Sequence, residues 1–262
     1  MKTLGELVNS FTGDDQGPWR VTAGDDWRQG RTLYGGISAA LSFAACNRLA
    51  SDLPPLRSAQ IAFVGPANGE AVLVPRILRQ GKSVSFLACD LMSEEMVATR
   101  ALFAFGEARP SAFLAEASPA PPVRRPEDCP PLFGDRYPAF ATHFDMRIAA
   151  GHRPVTGAMS GEMTVWVQHR DPGDADPVTA LIALADALPP ASMPRLSAPA
   201  AISSMTWQFD LCEVDRFQAR DWVLMRVADE SIKQGYSNQS MAMWDASGQP
   251  ILLGRQNVAI FA

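Results

Sequence analysis

The sequence predicts an α+β protein made of two copies of one unit, in which an antiparallel sheet curls around a central helix. Three observations predict this fold class. The same order of signals, namely an apolar helix, a Pro-Pro pair and a run of strand-like segments, occurs twice along the 262 residues. A Pro- and Ala-rich stretch lies between the two occurrences. The strand-like segments follow one another in sequence, which favours antiparallel pairing because short turns can join such strands.

The first unit centres on a helix predicted at residues 37–50, which begins with Ala, Ile, Leu, Phe and Ser only. A helix this apolar must be buried on most sides, and a curled sheet would bury it. Gly35 and Gly36 stand at its start, and Pro54-Pro55 ends the region. Extended segments are predicted at residues 19–23, 58–64, 71–78, 84–91 and 96–105, with turn signals between some of them.

The second unit repeats this order. Its central helix is predicted at residues 177–188, with Asp174 or Asp176 as the N-cap and Pro189-Pro190 as the stop. Extended segments are predicted at residues 139–148, 159–169, 202–211, 222–230, 236–245 and 251–261. The predicted organisation is therefore an N-terminal unit at residues 1–107, a linker at 108–138 and a C-terminal unit at 139–262.

Composition narrows the classes of function. The formal charge of −5 argues against nucleic acid as a partner. No apolar run is long enough to span a membrane, and the first residues lack an apolar signal core. The four cysteines form no C-x-x-C pair, and the histidines show no metal-ligand spacing, so we expect no metal and a reducing, cytoplasmic location. Local basic groups, Arg28 with Arg31 and Arg76 with Arg79 and Lys82, are either solvated or contact phosphates.

Four segments, taken together in order, resemble one family. They are Gln-Gly-Arg-Thr-Leu-Tyr-Gly-Gly at residues 29–36, Leu-Ala-Asp-Ala-Leu-Pro-Pro at 184–190, Ser-Ser-Met-Thr-Trp-Gln-Phe at 203–209 and Gly-Arg-Gln-Asn-Val-Ala-Ile-Phe at 254–261. In this order they are similar to the double hot-dog acyl-CoA thioesterases, which include bacterial acyl-CoA thioesterase II. The resemblance implies the double hot-dog fold and hydrolysis of acyl-CoA without a metal or other cofactor.

The resemblance also implies a site in which Asp186, Ser204 and Gln256 hold the attacking water. Ser204 stands where Thr is commoner in the family, so it keeps the hydroxyl but loses the methyl group that restricts χ1. The register is also open by one, because Ser203 and Thr206 compete with Ser204 for this role. Each residue also has a simpler reading: a surface Asp near a helix end, an ordinary strand Ser and an outward-facing strand Gln.

The residue types suit thioester hydrolysis, which needs a positioned water, a proton acceptor and donors for the developing oxyanion. Asp186 lies late in an apolar helix, where burial and the negative helix end would both raise its pKa and make it a better base. Gln256 interrupts a largely apolar strand, and its amide can accept from the water and donate to Asp186.

The first unit lacks this equipment, so we expect one active site per chain. Residues 36–51 contain no carboxylate, and the counterpart of Gln256 is Ala101. This unit would supply the acyl pocket and the turn Tyr34-Gly35-Gly36, whose backbone N–H groups would face the oxyanion or carbonyl. An ordinary glycine turn is the alternative reading.

Two other functions are alternatives to hydrolysis. One is an acyl-CoA-binding or sensing module with little or no turnover. The other is a hydratase or dehydratase on the same fold, which would need a catalytic His with an Asp near the first helix. Of the three histidines, His152 and His169 fit surface or packing roles better. From the resemblance we also expect a homo-oligomer, and the acyl group that is bound stays open.

Overall fold

The computed structural model describes residues 1–115 and 117–262, and Glu116 lies outside the described residues. Within these ranges it has three α-helices: α1 (Leu4–Asn9), α2 (Gly35–Leu49) and α3 (Pro177–Ala185). The strands of the N-terminal half are β1 (Thr12–Gly13), β2 (Trp19–Thr22), β3 (Arg28–Gln29), β4 (Thr32–Leu33), β5 (Leu56–Phe63), β6 (Glu70–Gln80), β7 (Val84–Ser93) and β8 (Met96–Gly106). Those of the C-terminal half are β9 (Phe144–Gly151), β10 (Glu162–His169), β11 (Ala201–Leu211), β12 (Val223–Lys233), β13 (Tyr236–Trp244) and β14 (Pro250–Phe261).

One continuous antiparallel sheet runs through both halves, in the order β1-β2-β6-β7-β8-β5-β11-β14-β13-β12-β10-β9. The two halves contribute their strands to this sheet in the same internal order, which is the topological signature of a duplicated unit. They join where β5 pairs with β11, and Ile61 lies opposite Trp207 at that junction. The separate pair β3-β4 forms a small hairpin before α2.

The two long helices lie on the inner face of this sheet and contact each other. Every residue of α2 from Gly36 to Cys46 is buried, and so is every residue of α3 from Thr179 to Ala185. Removing side chains such as Ile37 and Leu41 from water stabilises the fold by roughly 1.5–3 kcal/mol each. The hot-dog arrangement predicted from the two apolar helices is confirmed, as is the double hot-dog fold class.

Most element bounds agree with the sequence, and the differences lie at the starts and ends of elements. The segment predicted as extended from residue 139 begins with a 3₁₀ turn, Ala139–His143, which follows Pro138 before β9 starts. Helix α3 ends at Ala185, so Asp186 caps it instead of lying within it. Asp176 is the N-cap of α3 and accepts from the N–H groups of Val178 and Thr179. The short helix α1, which the sequence analysis missed, begins at a capping box between Thr3 and Glu6.

Part of the predicted linker 108–138, namely residues 118–129, packs against the outer face of the C-terminal half. The indole N–H groups of Trp244 and Trp166 donate to the carbonyl oxygens of Ser118 and Arg124, each at 2.8 Å. Further along, Leu132 is buried in the main core. This connection therefore covers outward-facing aromatic side chains of the sheet. Among the described residues, no helix combines the length and apolar character needed to cross a bilayer.

Candidate active site

A cavity of about 300 Å³ lies where the two halves meet, between the start of α2 and the end of α3. Its walls come from both halves of the chain. The lining residues include Gly35, Ser38, Phe63 and Thr99 from the first half and Asp186, Ile202, Ser203 and Ser204 from the second. The cavity thus combines one carboxylate with several hydroxyl groups and apolar side chains.

Asp186 is the carboxylate of this cavity. It follows α3 directly, and the buried helix holds it against the first turn of α2. Burial raises its pKa to about 7, although hydrogen bonds from Gln256 and from the Gly36 backbone lower it in part. Its side chain keeps partial exposure through the cavity. A carboxylate of this kind can take a proton from water near neutral pH.

Gln256 lies beside Asp186 on the inner face of β14. Its Nε2 donates to Asp186 Oδ1 at 2.8 Å, so the structure brings this predicted pair together. From the sequence, the Gln256 carbonyl was expected to accept a hydrogen bond from the water. In the structure Gln256 Oε1 instead accepts from Gln239 Nε2 at 2.8 Å, and Gln256 lies behind Asp186 and outside the set of described residues that line the cavity. Its direct contact is therefore with the carboxylate.

The three candidate hydroxyls lie on different faces of β11. Ser204 pairs with the fully buried Val258, so it faces inward, and it lines the cavity. Thr206 is exposed beside the inward-facing Trp207, so it faces outward and away from Asp186. Ser203 is exposed but still borders the cavity. Within the described part of the chain no hydrogen bond joins Ser204 to Asp186 or Gln256.

Tyr34 has a different position from the one expected of a substrate-binding residue. Its hydroxyl donates to the carbonyl of Ala183 at 2.8 Å, its backbone N–H donates to Trp27, and its ring stacks on Phe140 at 4.1 Å. The side chain is fully buried. Tyr34 therefore ties the two halves together, and its N–H is not available to an oxyanion.

The two glycines that follow allow close packing at the cavity. A Cβ atom on Gly35 would lie 2.6 Å from Asp186 Oδ2 and 2.9 Å from the Phe63 ring, so a side chain there would displace the carboxylate and the ring. A Cβ on Gly36 would lie 2.4 Å from the Tyr34 hydroxyl. The backbone N–H of Gly36 donates to the Asp186 carboxylate. Gly35 lines the cavity and is the first residue of α2, where backbone N–H groups have no partner within the helix.

The matching place in the N-terminal half has no comparable groups. Ala101 lies opposite Ile61 in β5 as Gln256 lies opposite Trp207 in β11, and Ile61 and Trp207 pair across the junction. The neighbour of Ala101 in β7 is Cys89, where Gln239 stands beside Gln256. The sheet register therefore places Ala101 at the position equivalent to Gln256, as the sequence comparison of the two units had it.

Other titratable groups lie away from this cavity. His143 pairs with Asp26 at 2.8 Å and stacks on Trp27, but it is buried and absent from the described lining of the cavity. His169 is buried with its Nε2 against the Ala180 carbonyl, and burial lowers its pKa to about 4, in line with a packing role. A groove of about 510 Å³ lies near Tyr137, where Asp145 is paired with Arg147 and offers no free base.

The predicted basic groups lie in different settings. Arg76 and Arg100 both pair with Asp90 on the outer face of the sheet, and they hold the pKa of Asp90 below its usual value. Arg28 pairs with Asp25. Arg31 is exposed in the hairpin between Gln29 and Thr32, both of which line the cavity.

Four residues at or behind the cavity were not predicted as site residues from the sequence: Ser38, Phe63, Thr99 and Gln239. The signal for Gln239 was present in β13, where inward positions alternate as Ser237, Gln239, Met241 and Met243, and a Gln among apolar residues is unusual in a core. Ser38 carried a weaker signal as a hydroxyl in an otherwise apolar helix.

Comparison with known proteins places both halves in one group. The family model for the acyl-CoA thioesterase N-terminal domain matches residues 23–106, and that for the acyl-CoA thioesterase C-terminal domain matches residues 122–260. No curated protein matches the chain.

Solved structures with the same fold cover the whole chain. A conserved protein of unknown function with a hot-dog fold from Alicyclobacillus acidocaldarius is 20% identical over 100% of this chain and 99% of its own, with a TM-score of 0.89. The acyl-CoA thioesterase II TesB2 of Mycobacterium marinum is 18% identical over 98% of both chains, with a TM-score of 0.78. The tesB protein of Mycobacterium avium subs paratuberculosis is 15% identical over 99% of this chain and 100% of its own, with a TM-score of 0.80.

Proposed function

Since the chain belongs to the acyl-CoA thioesterase family, we propose that it hydrolyses an acyl-CoA to the free acid and CoA by direct attack of a water molecule. One observation carries this proposal. A carboxylate with a pKa of about 7, Asp186, lines a cavity at the junction of the halves and accepts a 2.8 Å hydrogen bond from Gln256. A base with a pKa near the working pH is well matched to taking a proton from water.

In the proposed reaction, Asp186 takes one proton from the water while the water oxygen bonds to the thioester carbonyl carbon. The tetrahedral intermediate then expels sulfur, and the proton held by Asp186 passes to the CoA thiolate. A thiol with an ordinary pKa of about 8.5 is a good leaving group, so the barrier lies mainly in forming the intermediate. No group outside the protein, the water and the thioester is needed to balance these steps.

The other residues take supporting roles in this proposal. Ser204 faces the cavity and would orient the water, because a hydroxyl group can both donate a hydrogen bond to the water and accept one from it. Gln256 holds the Asp186 carboxylate in place. The N–H of Gly35, in the first turn of α2, would donate to the oxyanion, because first-turn N–H groups have no partner within the helix. This refines the expected site, in which all three of Asp186, Ser204 and Gln256 contacted the water.

The substrate would enter this cavity with its acyl group first. Phe63 and Ile202 offer apolar walls for a chain, and the volume of about 300 Å³ favours a short or medium acyl group. The CoA portion would lie outside, where the exposed guanidinium of Arg31 on the neighbouring hairpin can meet its phosphates.

We also propose, from the family resemblance and the cysteines, that the protein forms a homo-oligomer and works in the cytoplasm. All four cysteines are free thiols, and three of them are buried. Sedimentation of the purified protein checks the first of these proposals, and fractionation of the source cells checks the second.

Release of free CoA from acetyl-, hexanoyl-, decanoyl-, palmitoyl- and benzoyl-CoA tests the proposed reaction. We expect turnover with at least one substrate and a loss of about 100-fold or more in kcat for Asp186→Asn. Asp210→Asn, on the exposed face of β11, is the matched control and should keep full activity. Binding of acyl-CoA without CoA release would instead indicate the sensing module, and an Asp186→Asn variant as active as the wild type would rule out this site.

A further inference from the structure

Resting on the function proposed above, we propose that Gln239 is a positioning residue that fixes the direction of the Gln256 amide and so keeps a donor against the Asp186 carboxylate. Gln239 lies on β13, directly opposite Gln256 in the sheet. Among the described residues it neither lines the cavity nor bonds to Asp186, and its side chain bonds to Gln256 and to the backbone N–H of Ala191.

The direction of the two amides follows from one backbone group. The N–H of Ala191 can only donate, and it donates to Gln239 Oε1 at 2.7 Å. The other end of that amide is therefore Nε2, which donates to Gln256 Oε1 at 2.8 Å. The remaining end of Gln256 is also Nε2, and it donates to Asp186 Oδ1 at 2.8 Å. The three bonds form a relay that runs from Ala191 to Asp186.

Reversing Gln256 would break two of these bonds at once. Its Oε1 would then face a carboxylate oxygen, and its Nε2 would face the donor Nε2 of Gln239. Gln239 is 1% exposed and Gln256 is 5% exposed, so water cannot easily replace the lost partners. The relay therefore keeps Gln256 Nε2 directed at Asp186 even when Asp186 has taken up a proton. The carboxylate then regains the same hydrogen bond when it loses that proton.

A buried Gln occurs at this sheet position in the half that carries the Asp186 carboxylate, and not at the equivalent position of the other half. The equivalent of Gln239 in the N-terminal half is Cys89, beside Ala101, where there is no carboxylate to orient. On β13 itself the next inward residues are Met241 and Met243, so packing alone is met by apolar side chains there. A buried Gln at this one position is better explained by its hydrogen bonds than by its volume.

The variant Gln239→Met tests the relay, since it keeps the length of the side chain but removes both hydrogen-bonding ends. Freed to turn, Gln256 would donate to Asp186 less often, and the pH at which kcat is half-maximal would rise. If that pH rises from about 7 to about 8, the ionised fraction of Asp186 at pH 7 falls from half to about one-tenth, a loss of roughly fivefold in kcat. KM should change little.

Two controls separate positioning from loss of packing. Met241→Ala opens a cavity on the same strand, so it should lower stability without moving the pH midpoint. Gln208→Met removes an exposed amide from the outer face of β11 and should leave both the stability and the pH midpoint unchanged.

Among the described residues, Tyr34 is a titratable group whose charge would interact with that of Asp186. Burial and that carboxylate raise its pKa well above the ordinary value, so it stays neutral in this range.

A second measurement does not depend on turnover. The pKa of Asp186 can be measured from the pH dependence of the ¹³C chemical shift of its carboxyl group. It should rise in Gln239→Met and remain unchanged in Met241→Ala. If the wild type hydrolyses no thioester but this shift occurs, the proposed function fails and the relay stands. A folded Gln239→Met protein with wild-type kcat, pH midpoint and Asp186 pKa would overturn the relay.

Discussion

Tyr34 in the N-terminal half donates its hydroxyl hydrogen to the backbone carbonyl of Ala183 in the C-terminal half, at 2.8 Å. Ala183 belongs to α3, so this bond fixes the last turn of that helix against the start of α2. The carboxylate of Asp186 follows directly after that turn, and its position therefore depends on contacts between the halves.

Tyr34→Phe should lower the free energy of unfolding by roughly 1–3 kcal/mol, because the buried Ala183 carbonyl loses its donor. Urea denaturation measures the change. The expected kcat stays within a few-fold of the wild type, since the ring and its stacking on Phe140 remain. A large loss of kcat at unchanged stability would instead return Tyr34 to the reaction.

Gly35→Ala should abolish most activity, because the new methyl group would overlap Asp186 Oδ2 and the Phe63 ring. CoA release reports the loss. Gly134→Ala is the matched control, since a Cβ there meets nothing within 4 Å, and it should behave as the wild type. Equal activity of both variants would show that the start of α2 can move without consequence.

The kcat of the wild type should rise with pH and be half-maximal near pH 7, because the proposed base works only when ionised. Gln256→Leu should move this midpoint upward, since the hydrogen bond from Gln256 lowers the pKa of Asp186. A pH series of kcat for both proteins gives the answer. A downward shift in the variant would contradict the assigned direction of that bond.

The raised pKa of Asp186 should also make the free energy of unfolding depend on pH. Its pKa is higher in the folded protein, about 7, than the ordinary value of 3.8, so the folded state binds the extra proton and its stability is fully present only below pH 4. The stability falls as pH rises from about 4 to about 7, by an amount on the order of 4 kcal/mol at most. Asp186→Asn should lack this fall, and urea denaturation of both proteins at pH 4.5 and pH 8 compares them directly. Parallel changes in the two proteins would show that Asp186 has an ordinary pKa.

Phe63→Ala should shift activity toward longer acyl chains, because the ring forms a wall of the cavity of about 300 Å³. Comparing kcat/KM for hexanoyl- and palmitoyl-CoA measures the shift. Leu78→Ala, exposed on β6, should leave the ratio as it is. An unchanged ratio in Phe63→Ala would indicate that the acyl group binds elsewhere.

The sequence alone determined the main features of this protein. Two helices without a polar face must be buried, and the strand signals after each one predict the sheet that buries them. The repeated order predicted the duplication, and resemblance to the acyl-CoA thioesterases pointed to Asp186 and Gln256, which the fold does bring together. Ala101 was identified as the silent counterpart of Gln256 from the same comparison, and the sheet register agrees.

Only the tertiary structure decided which groups meet at the cavity and in which direction they bond. An irregularity in β11 between Ser204 and Thr206 breaks simple alternation, so the sequence could not tell that Ser204 faces inward while Thr206 faces outward. The partners of Asp186 and of Tyr34 lie far away along the chain, and local patterns carry no information about such contacts. The relay from Ala191 through Gln239 likewise depends on the register of β13 with β14, which the packing of the whole sheet fixes.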